Sequence, residues 1–508
     1  MSPSGFLSDS KQKGCTLILF GLLLSLFTAC IPARMPDATS APSLTPVVVA
    51  TQENQEKATA LPIEISTEPA LLVNTPEAQQ QPPPLTRTLY QLAASMDYQA
   101  HLISIEQSID YLNLTSSTLD SLVLVLEPQH KADGFTLRSV QWGDGSAVEN
   151  YTLADGRLHL PLIQPLLPGN TLSVKMAYAY YLPNRLAPFG FSERQINLAD
   201  WYAFIPPYLP EEGWMLREPA SVGENLVYDL ADYQVEIRLI GSTTGLRLAA
   251  PAPVEIVGDV YRFSRQMARN FVWSVGEYAL LEGGQGQTKI QLYAFPEHVA
   301  SGEMALRCVS EAMEVYSVLF GDPSLPQMIV VETAFPDGME YDGLFFLNHL
   351  YFEYPGSGPR SGLCSLSVHE IAHQWWYRLV GNDPAFEPWL DEALCTYSEL
   401  LFYESRYPEL VPWWWDYRVD KHDPKGWVND TIYEYSEYRP YVNAVYLQGV
   451  RFLDALRSQV GDAVMFDFLH EYARTYRYQQ VNSEDFFNLL ESISENKFQS
   501  VLDRYFSP

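Results

Sequence analysis

HEIAHQWW, residues His369–Trp376, sets two histidines four positions apart, with Glu370 directly after the first. On a helix, side chains at i and i+4 stand one above the other on a single face. His369 and His373 can therefore aim both imidazoles at one point. Glu370 lies on the neighbouring face, within reach of a water held at that point. This is the physical content of the H-E-x-x-H pattern, in which two histidines hold Zn²⁺ and the glutamate acts as general base. The plain alternative is a pair of structural histidines beside a solvated Glu370. The pattern alone does not separate the two readings, so a third ligand has to.

A third histidine six residues after His373 would follow a glycine at the third position. Those positions hold Leu379 and Trp376, which excludes that arrangement. The other solution is His₂Glu, with the carboxylate supplied by a following helix. WLDEALCTYSE, starting at Trp389, supplies it: Glu392 stands nineteen residues beyond His373, after the GNDPAFE turn. Asp391 points about a quarter-turn away on that helix and is the weaker candidate. Glu399, seven residues on, shares a face with Glu392 and is placed to accept a hydrogen bond from a ligand histidine. An ordinary surface charge is the competing reading of Glu399.

With HEIAHQWW and then WLDEA, eighteen residues separating His373 from Glu392, the chain resembles the gluzincin aminopeptidases typified by aminopeptidase N and leukotriene A4 hydrolase. GMEYDGLFF, from Gly338, is similar to the family's G-x-M-E-N exopeptidase motif, with Tyr341 in place of Asn. The resemblance implies that Gly338, Met339 and Glu340 form an edge strand binding the substrate main chain, with Glu340 on the free α-amine. Tyr446-Leu447-Gln448-Gly449 resembles the segment whose tyrosine stabilises the oxyanion, and Tyr441 matches a second tyrosine often found there. The implied set is Glu370 and Tyr446 as catalytic groups, His369, His373 and Glu392 as ligands of one Zn²⁺, and Glu399 behind them. The family's N-domain segment that adds a Gln or Glu to the amine site is not recognisable. The resemblance spans roughly residues 88–508 and implies a short form, lacking the large C-terminal helical domain of the best-known members.

Outward from the motif, the hydrophobic period divides the chain. From Thr88 to about Pro296, apolar residues alternate, as in Tyr90, Leu92, Ala94 and Met96, and Gly, Asn, Asp and Pro separate the runs. Short strands at this spacing predict an antiparallel β-sandwich over 87–296. Over 297–508 the pattern turns mainly α-helical. GEMALRCVSEAMEVYSVLFG, LSVHEIAHQWWYRLVG and PWLDEALCTYSELLFYESRY read as helices, and PQMIVVETAF and LFFLNHLYFEY as strands. The expected fold class is α+β multidomain: the sandwich, then a thermolysin-like zinc peptidase domain. Trp375, Trp376 and Trp389 read as core packing; His349 and His422, without partners at ligand spacing, read as structural or exposed.

The first thirty residues read as an address. Lys11 and Lys13 precede the apolar run Thr16–Phe27, which is too short to span a bilayer but suits a signal-peptide core. FTAC, ending at Cys30, looks like the lipobox of bacterial lipoproteins, with Phe27 where leucine is usual. A conventional cleaved signal and an uncleaved anchor are the other readings. All three place the body outside the cytoplasm, as a cell-envelope lipoprotein or a secreted protein. Residues 31–86, rich in Pro, Thr and Gln, cannot bury enough surface to offset ordering entropy and read as a disordered tether. The net charge of −30 argues against nucleic acid and anionic membrane surfaces as partners, leaving the membrane contact to a lipid anchor. No sequence feature sets an oligomeric state. Cys308, Cys364 and Cys395 read as buried apolar residues, with Cys364–Cys395 a conceivable pair.

The expected reaction follows. Two neutral imidazoles and one carboxylate leave a zinc ion with an open position that activates water. Glu370 takes its proton, and Tyr446 shares the oxyanion charge. The substrates are peptides with a free N-terminus. The alternatives are an endopeptidase or another amide or epoxide hydrolase of the same fold, or a non-catalytic cell-surface module with a structural zinc.

Overall fold

The alternation beginning at Thr88 builds the first strand of a seven-stranded sheet: Tyr90, Leu92, Ala94 and Met96 point inward, all nearly fully buried. In the computed structural model, residues 85–494 and 497–508 are described, and they fall within one compact unit, Gln81–Pro508. The expected signal peptide, the lipidation site Cys30 and nearly all of the tether lie outside the described residues. Among those described, no helix is long and apolar enough to cross a membrane.

The seven-stranded sheet is antiparallel except where Thr88–Asp97 pairs in parallel with Ala231–Ile240. A three-stranded and a four-stranded sheet accompany it, and their inward residues form one apolar core with it. Buried tyrosines in that core satisfy their hydroxyls internally. Tyr202 and Tyr233 hydroxyls lie 3.1 Å apart, and Tyr233 donates to the Arg269 carbonyl at 3.0 Å.

A five-stranded sheet follows. Its strands Ala279–Gln285 and Thr288–Ala294 precede residue 296 yet pair onward to Gln327–Thr333. The change of hydrophobic period at 296 thus falls inside this sheet. Periodicity marks where strands give way to helix, not where one structural layer ends. The strand Met339–Tyr341 is the outer edge of this sheet, antiparallel to Leu344–Asn348. The expected second strand LFFLNHLYFEY is shorter: Asn348 caps a helical turn, accepting from the Leu350 N–H at 2.9 Å.

The helices that matter for the site are α1 (Val299–Phe320), α2 (Gly362–Ala372), α3 (Trp389–Arg406) and α4 (Gly449–Val460). They share one apolar core with the five-stranded sheet. Ser361 caps α2, accepting from the Cys364 N–H at 3.2 Å. At Gly449 an added Cβ would lie 2.4 Å from the Ala393 Cβ, so this glycine lets α4 cross closely over α3.

Two expectations need correction. The helix read as running to Gly381 ends at Ala372, and Val380–Gly381 is a short strand. Tyr377 adopts φ 132°, and the Arg378 N–H returns to the His373 carbonyl at 3.0 Å. Trp375 and Trp376 are both fully buried in this turn, their indoles donating to Gly321 O and Ser398 Oγ. An apolar run buried on all sides looks the same by periodicity whether it is helix or turn. The cysteine reading also changes. Cys308 on α1 and Cys364 on α2 form a disulfide, with Cα atoms 5.6 Å apart, and Cys395 is the buried free thiol. The two helices pack side by side, a juxtaposition that spacing along the chain does not reveal.

The two parts of the unit are locked by a buried ionic cluster. Asp342, fully buried, accepts from Arg378 Nε and from the Arg269 N–H, each at 2.9 Å, and from the Arg265 guanidinium. Burial alone would raise the Asp342 pKa; Arg378 and Arg265 reverse this and hold it below the ordinary range. The cluster fixes the end of the Met339–Tyr341 strand against the turn after His373.

Candidate metal centre and substrate cleft

His369 lies within α2 and His373 is its C-cap residue, still helical at φ −60°, ψ −10°. The i, i+4 geometry therefore survives the early end of the helix, and the two ring centroids are 5.0 Å apart. Glu392, in the first turn of α3, comes to both: its Oε2 is 3.2 Å from His369 Nε2 and 3.7 Å from His373 Nε2. One donor atom from each of His369, His373 and Glu392 falls within 4.8 Å of the others.

The far nitrogens of the imidazoles are taken by carboxylates. His369 Nδ1 donates to Glu399 Oε1 at 2.9 Å, and His373 Nδ1 donates to Asp391 Oδ1 at 2.6 Å. This leaves each Nε2 facing the shared point, the tautomer a metal ligand requires. Glu399 is itself tightly held. It accepts from Ser365 Oγ at 2.8 Å, Trp414 Nε1 at 3.1 Å and Arg418 Nε at 3.0 Å. Burial would raise its pKa, but Arg418 and His369 outweigh that and hold it at about 2. His369 shows the converse. Burial disfavours its cation, yet Glu392 and Glu399 raise its pKa to about 10. So much negative potential around two imidazoles suits a bound cation.

Asp391 was the weaker candidate for ligand, and in the structure it orients His373 instead of reaching the shared point. Sequence reasoning missed this, although the helical offset that removes Asp391 from the Glu392 face turns it toward the far side of the ring.

Glu370 lies at the cleft with Oε2 buried and without a partner among the described residues. Burial raises its pKa to about 8, against the pull of His369 and His373. Gly338 is packed directly on it: an added Cβ would sit 2.0 Å from Glu370 Oε1. Glu340, on the edge strand, is buried, its Oε1 also without a hydrogen bond among the described residues and 3.7 Å from His373 Nδ1. Met339, between them, is half-buried and lines the same cleft. Gln374, directly after His373, ties strand to helix. Its carbonyl accepts from the Gly343 N–H at 2.9 Å and its amide donates to the Tyr341 carbonyl at 3.1 Å.

Tyr446 lies in a π-helical stretch, Asn443–Gln448, between two helical segments. Single-turn π segments re-aim side chains and recur at functional sites. Here Tyr446 donates its hydroxyl to Glu392 Oε1, and its ring stacks on His369 at 5.9 Å. Burial and then Glu392 push its pKa up, so the hydroxyl keeps its proton as a donor. The Tyr441 ring packs edge-on to it at 5.8 Å.

A further acid reaches the cleft from the β-rich part. Glu224 follows Gly223, whose φ of +71° and close approach to Ile432 leave no room for a side chain. Burial first, then Asp391 and Glu392, push the Glu224 pKa well up. No sequence signal marked it, because SVGEN is a loop without periodicity. His422, read as structural or exposed, also lines the cleft, which measures about 760 Å³.

Residues 301–505 match the model described as the peptidase family M1 domain. Aminopeptidase M1-D of Oryza sativa subsp. japonica is 24% identical over 246 residues, covering 45% of this chain and 28% of that protein. The match thus spans less than a third of that relative's length. A solved mutant of a two-domain M1 zinc metallopeptidase bound to L-tryptophan superposes with a TM-score of 0.58 at 19% identity. It covers 84% of this chain and 95% of that one. The M1 zinc metallopeptidase of Deinococcus radiodurans gives 0.56 at 18% identity, covering 80% and 89%. These structures share the fold, a β-rich part followed by a helical one.

Proposed function

We propose, for a chain whose residues 301–505 match the peptidase family M1 domain, that the protein is a zinc-dependent aminopeptidase acting on peptides with a free N-terminus. One observation carries the reading. A buried His₂Glu cluster shares its cleft with a buried acid, Glu340, whose Oε1 accepts no hydrogen bond among the described residues and has only His373 Nδ1, at 3.7 Å, as a nearby cationic group. A buried carboxylate without hydrogen bonds is costly unless a cation completes it, and the α-ammonium of a peptide is such a cation.

The donor set fits one Zn²⁺, with His369 and His373 through Nε2 and Glu392 through a carboxylate oxygen. When bound there, the ion would supply Lewis acidity that lowers the pKa of water and polarises a carbonyl. The remaining work belongs to side chains. Glu370 accepts the proton of the attacking water and passes it to the leaving amine. Its buried carboxylate, with Oε2 free of hydrogen bonds among the described residues, is placed for that transfer. The Tyr446 hydroxyl donates to the carbonyl oxygen as negative charge develops; losing one such donor costs about 10²–10³ in rate. Glu340, joined by Glu224, holds the substrate ammonium, so that the first peptide bond meets Glu370. Glu399 and Asp391 keep the imidazoles in the required tautomer.

The reading extends to location. A cell-envelope lipoprotein, anchored through Cys30, is the address we propose. The Cys308–Cys364 disulfide supports an oxidising compartment.

The test compares a free-amine peptide with its N-acetylated twin, with and without a chelator. Chelator-sensitive cleavage of the free-amine peptide alone is expected. Equal rates on both would remove the role of Glu340. Glu370→Gln should keep zinc and lose nearly all turnover.

A further inference from the structure

The cleft is acidic on its strand wall, and beyond the metal-binding cluster part of its helical wall is basic. Glu340 and Glu224 stand on the first side, near enough that, after burial, Glu224 is the largest influence raising the Glu340 pKa. On the second side are Lys421 and His422, in the turn Asp420–His422, and Arg439, in the helix Tyr438–Val442. Partial burial and then Arg439 and Lys421 lower the His422 pKa, which puts the three cations within each other's field.

The chain carries 62 acidic and 32 basic residues, so carboxylates to neutralise these cations are plentiful. Yet among the described residues no carboxylate forms an ion pair with Lys421 or Arg439. The nearby acids are committed elsewhere. Asp337 accepts from the Tyr438 hydroxyl at 2.6 Å, Asp420 pairs with Arg451 at 2.8 Å and Glu399 pairs with Arg418 at 3.0 Å. Asp416 acts on Lys421 through space, without an ion pair. Lys421 Nζ rests over the Tyr417 ring at 3.9 Å, which holds the cation near the cleft without neutralising it.

Chain geometry links the two walls. Asp337 is three residues before Glu340, so it lies within about 10 Å of it along the strand wall. The Tyr438–Asp337 hydrogen bond brings the segment carrying Arg439 to that level. A peptide lying along the edge strand with its ammonium on Glu340 spans about 10 Å in three residues. Its C-terminal carboxylate then reaches the level of the Tyr438–Asp337 bond, beside the segment that carries Arg439, in a cleft that Lys421 also lines.

We propose that Arg439 and Lys421 form a carboxylate-binding subsite, and that the preferred substrates are peptides of about three residues with both termini free. This rests on the aminopeptidase reading, and the test keeps the two apart. Tri-alanine and its C-terminal amide are compared by kcat/KM on the wild-type protein, Arg439→Ala, Lys421→Ala and the double variant. The wild type should favour the free acid by about five- to tenfold, mostly through KM, and less so at high salt. The double variant should bring the ratio near one, and Arg439→Lys should keep most of it. Both side chains are exposed, and unchanged melting temperatures would verify that the variants are folded. Equal wild-type rates on acid and amide, or a preference that survives in the double variant, would overturn the subsite while leaving the aminopeptidase standing. No cleavage of either peptide would overturn both.

Discussion

Asp391 Oδ1 accepts the Nδ1 proton of His373 at 2.6 Å, so a residue adjacent to a candidate ligand orients another ligand from behind. Carboxylates in this position fix the ring and raise its basicity, and removing one typically costs 10–100-fold in metal affinity. Asp391→Ala should weaken zinc binding by about that factor, read by competition with a chelator. Excess zinc should restore much of the turnover. Unchanged affinity would show that the contact does not serve the ligand.

Gly338 faces Glu370 so closely that a methyl group would lie 2.0 Å from its carboxylate oxygen. Gly338→Ala should displace Glu370 and leave the zinc ligands in place. Misplacement of a reacting group by about 1 Å costs roughly 10²-fold in rate. Full zinc stoichiometry with kcat down about a hundredfold is expected; an unimpaired kcat would remove Glu370 from the reaction.

What the sequence made legible follows from what spacing can encode. His369, His373 and Glu370 were readable because one helical turn converts sequence distance into a shared face. Glu392 and Glu399 were readable because seven residues return to the same side of α3. The alternation around Tyr90 gave the β-rich part for the same reason. Glu224 and Asp391 were not assigned. The first comes from a loop with no period, and the role of the second depends on which side of His373 faces α3. The early end of α2 was hidden because both tryptophans are buried, and burial looks alike in helix and turn. The Cys308–Cys364 bridge joins residues 56 apart, whose meeting is set by helix packing alone.

That bridge ties α1 to the helix that carries both histidines. Closing a loop of this length stabilises a fold by about 2–4 kcal/mol. Cys308→Ser with Cys364→Ser should lower the melting temperature by several degrees, as should strong reductant on the wild type. Zinc should stay bound in both at moderate temperature. A melt insensitive to reductant would contradict a stabilising bridge.

Glu332 offers a stability test away from the cleft. It is fully buried, accepting from the Phe295 N–H at 2.7 Å and paired with His298 Nδ1 at 2.6 Å. Burial raises its pKa from 4.5 to about 7, although Phe295 and His298 pull the other way. Between those values the folded chain keeps a proton that the unfolded chain has released. The contribution of Glu332 to stability is therefore complete below the lower value, falls as pH rises, and levels off above the higher one. Glu332→Gln offers an oxygen to Phe295 and an N–H to His298. Its unfolding free energy relative to wild type should grow by on the order of 2 kcal/mol from pH 4.5 to 7.5. A pH-independent difference in urea titrations would refute the assignment.

The central claim is that one cation sits between His369 Nε2, His373 Nε2 and Glu392. Anomalous diffraction at the zinc edge, on crystals of the full chain grown with zinc, tests it most directly. A single peak about 2.0–2.2 Å from those three side chains is expected. Two other clusters that share His373 bring donor atoms together, His373–Asp391–Cys395 behind the ring and Glu340–Glu370–His373. A peak at either of them, or no peak near Glu392, would contradict the account.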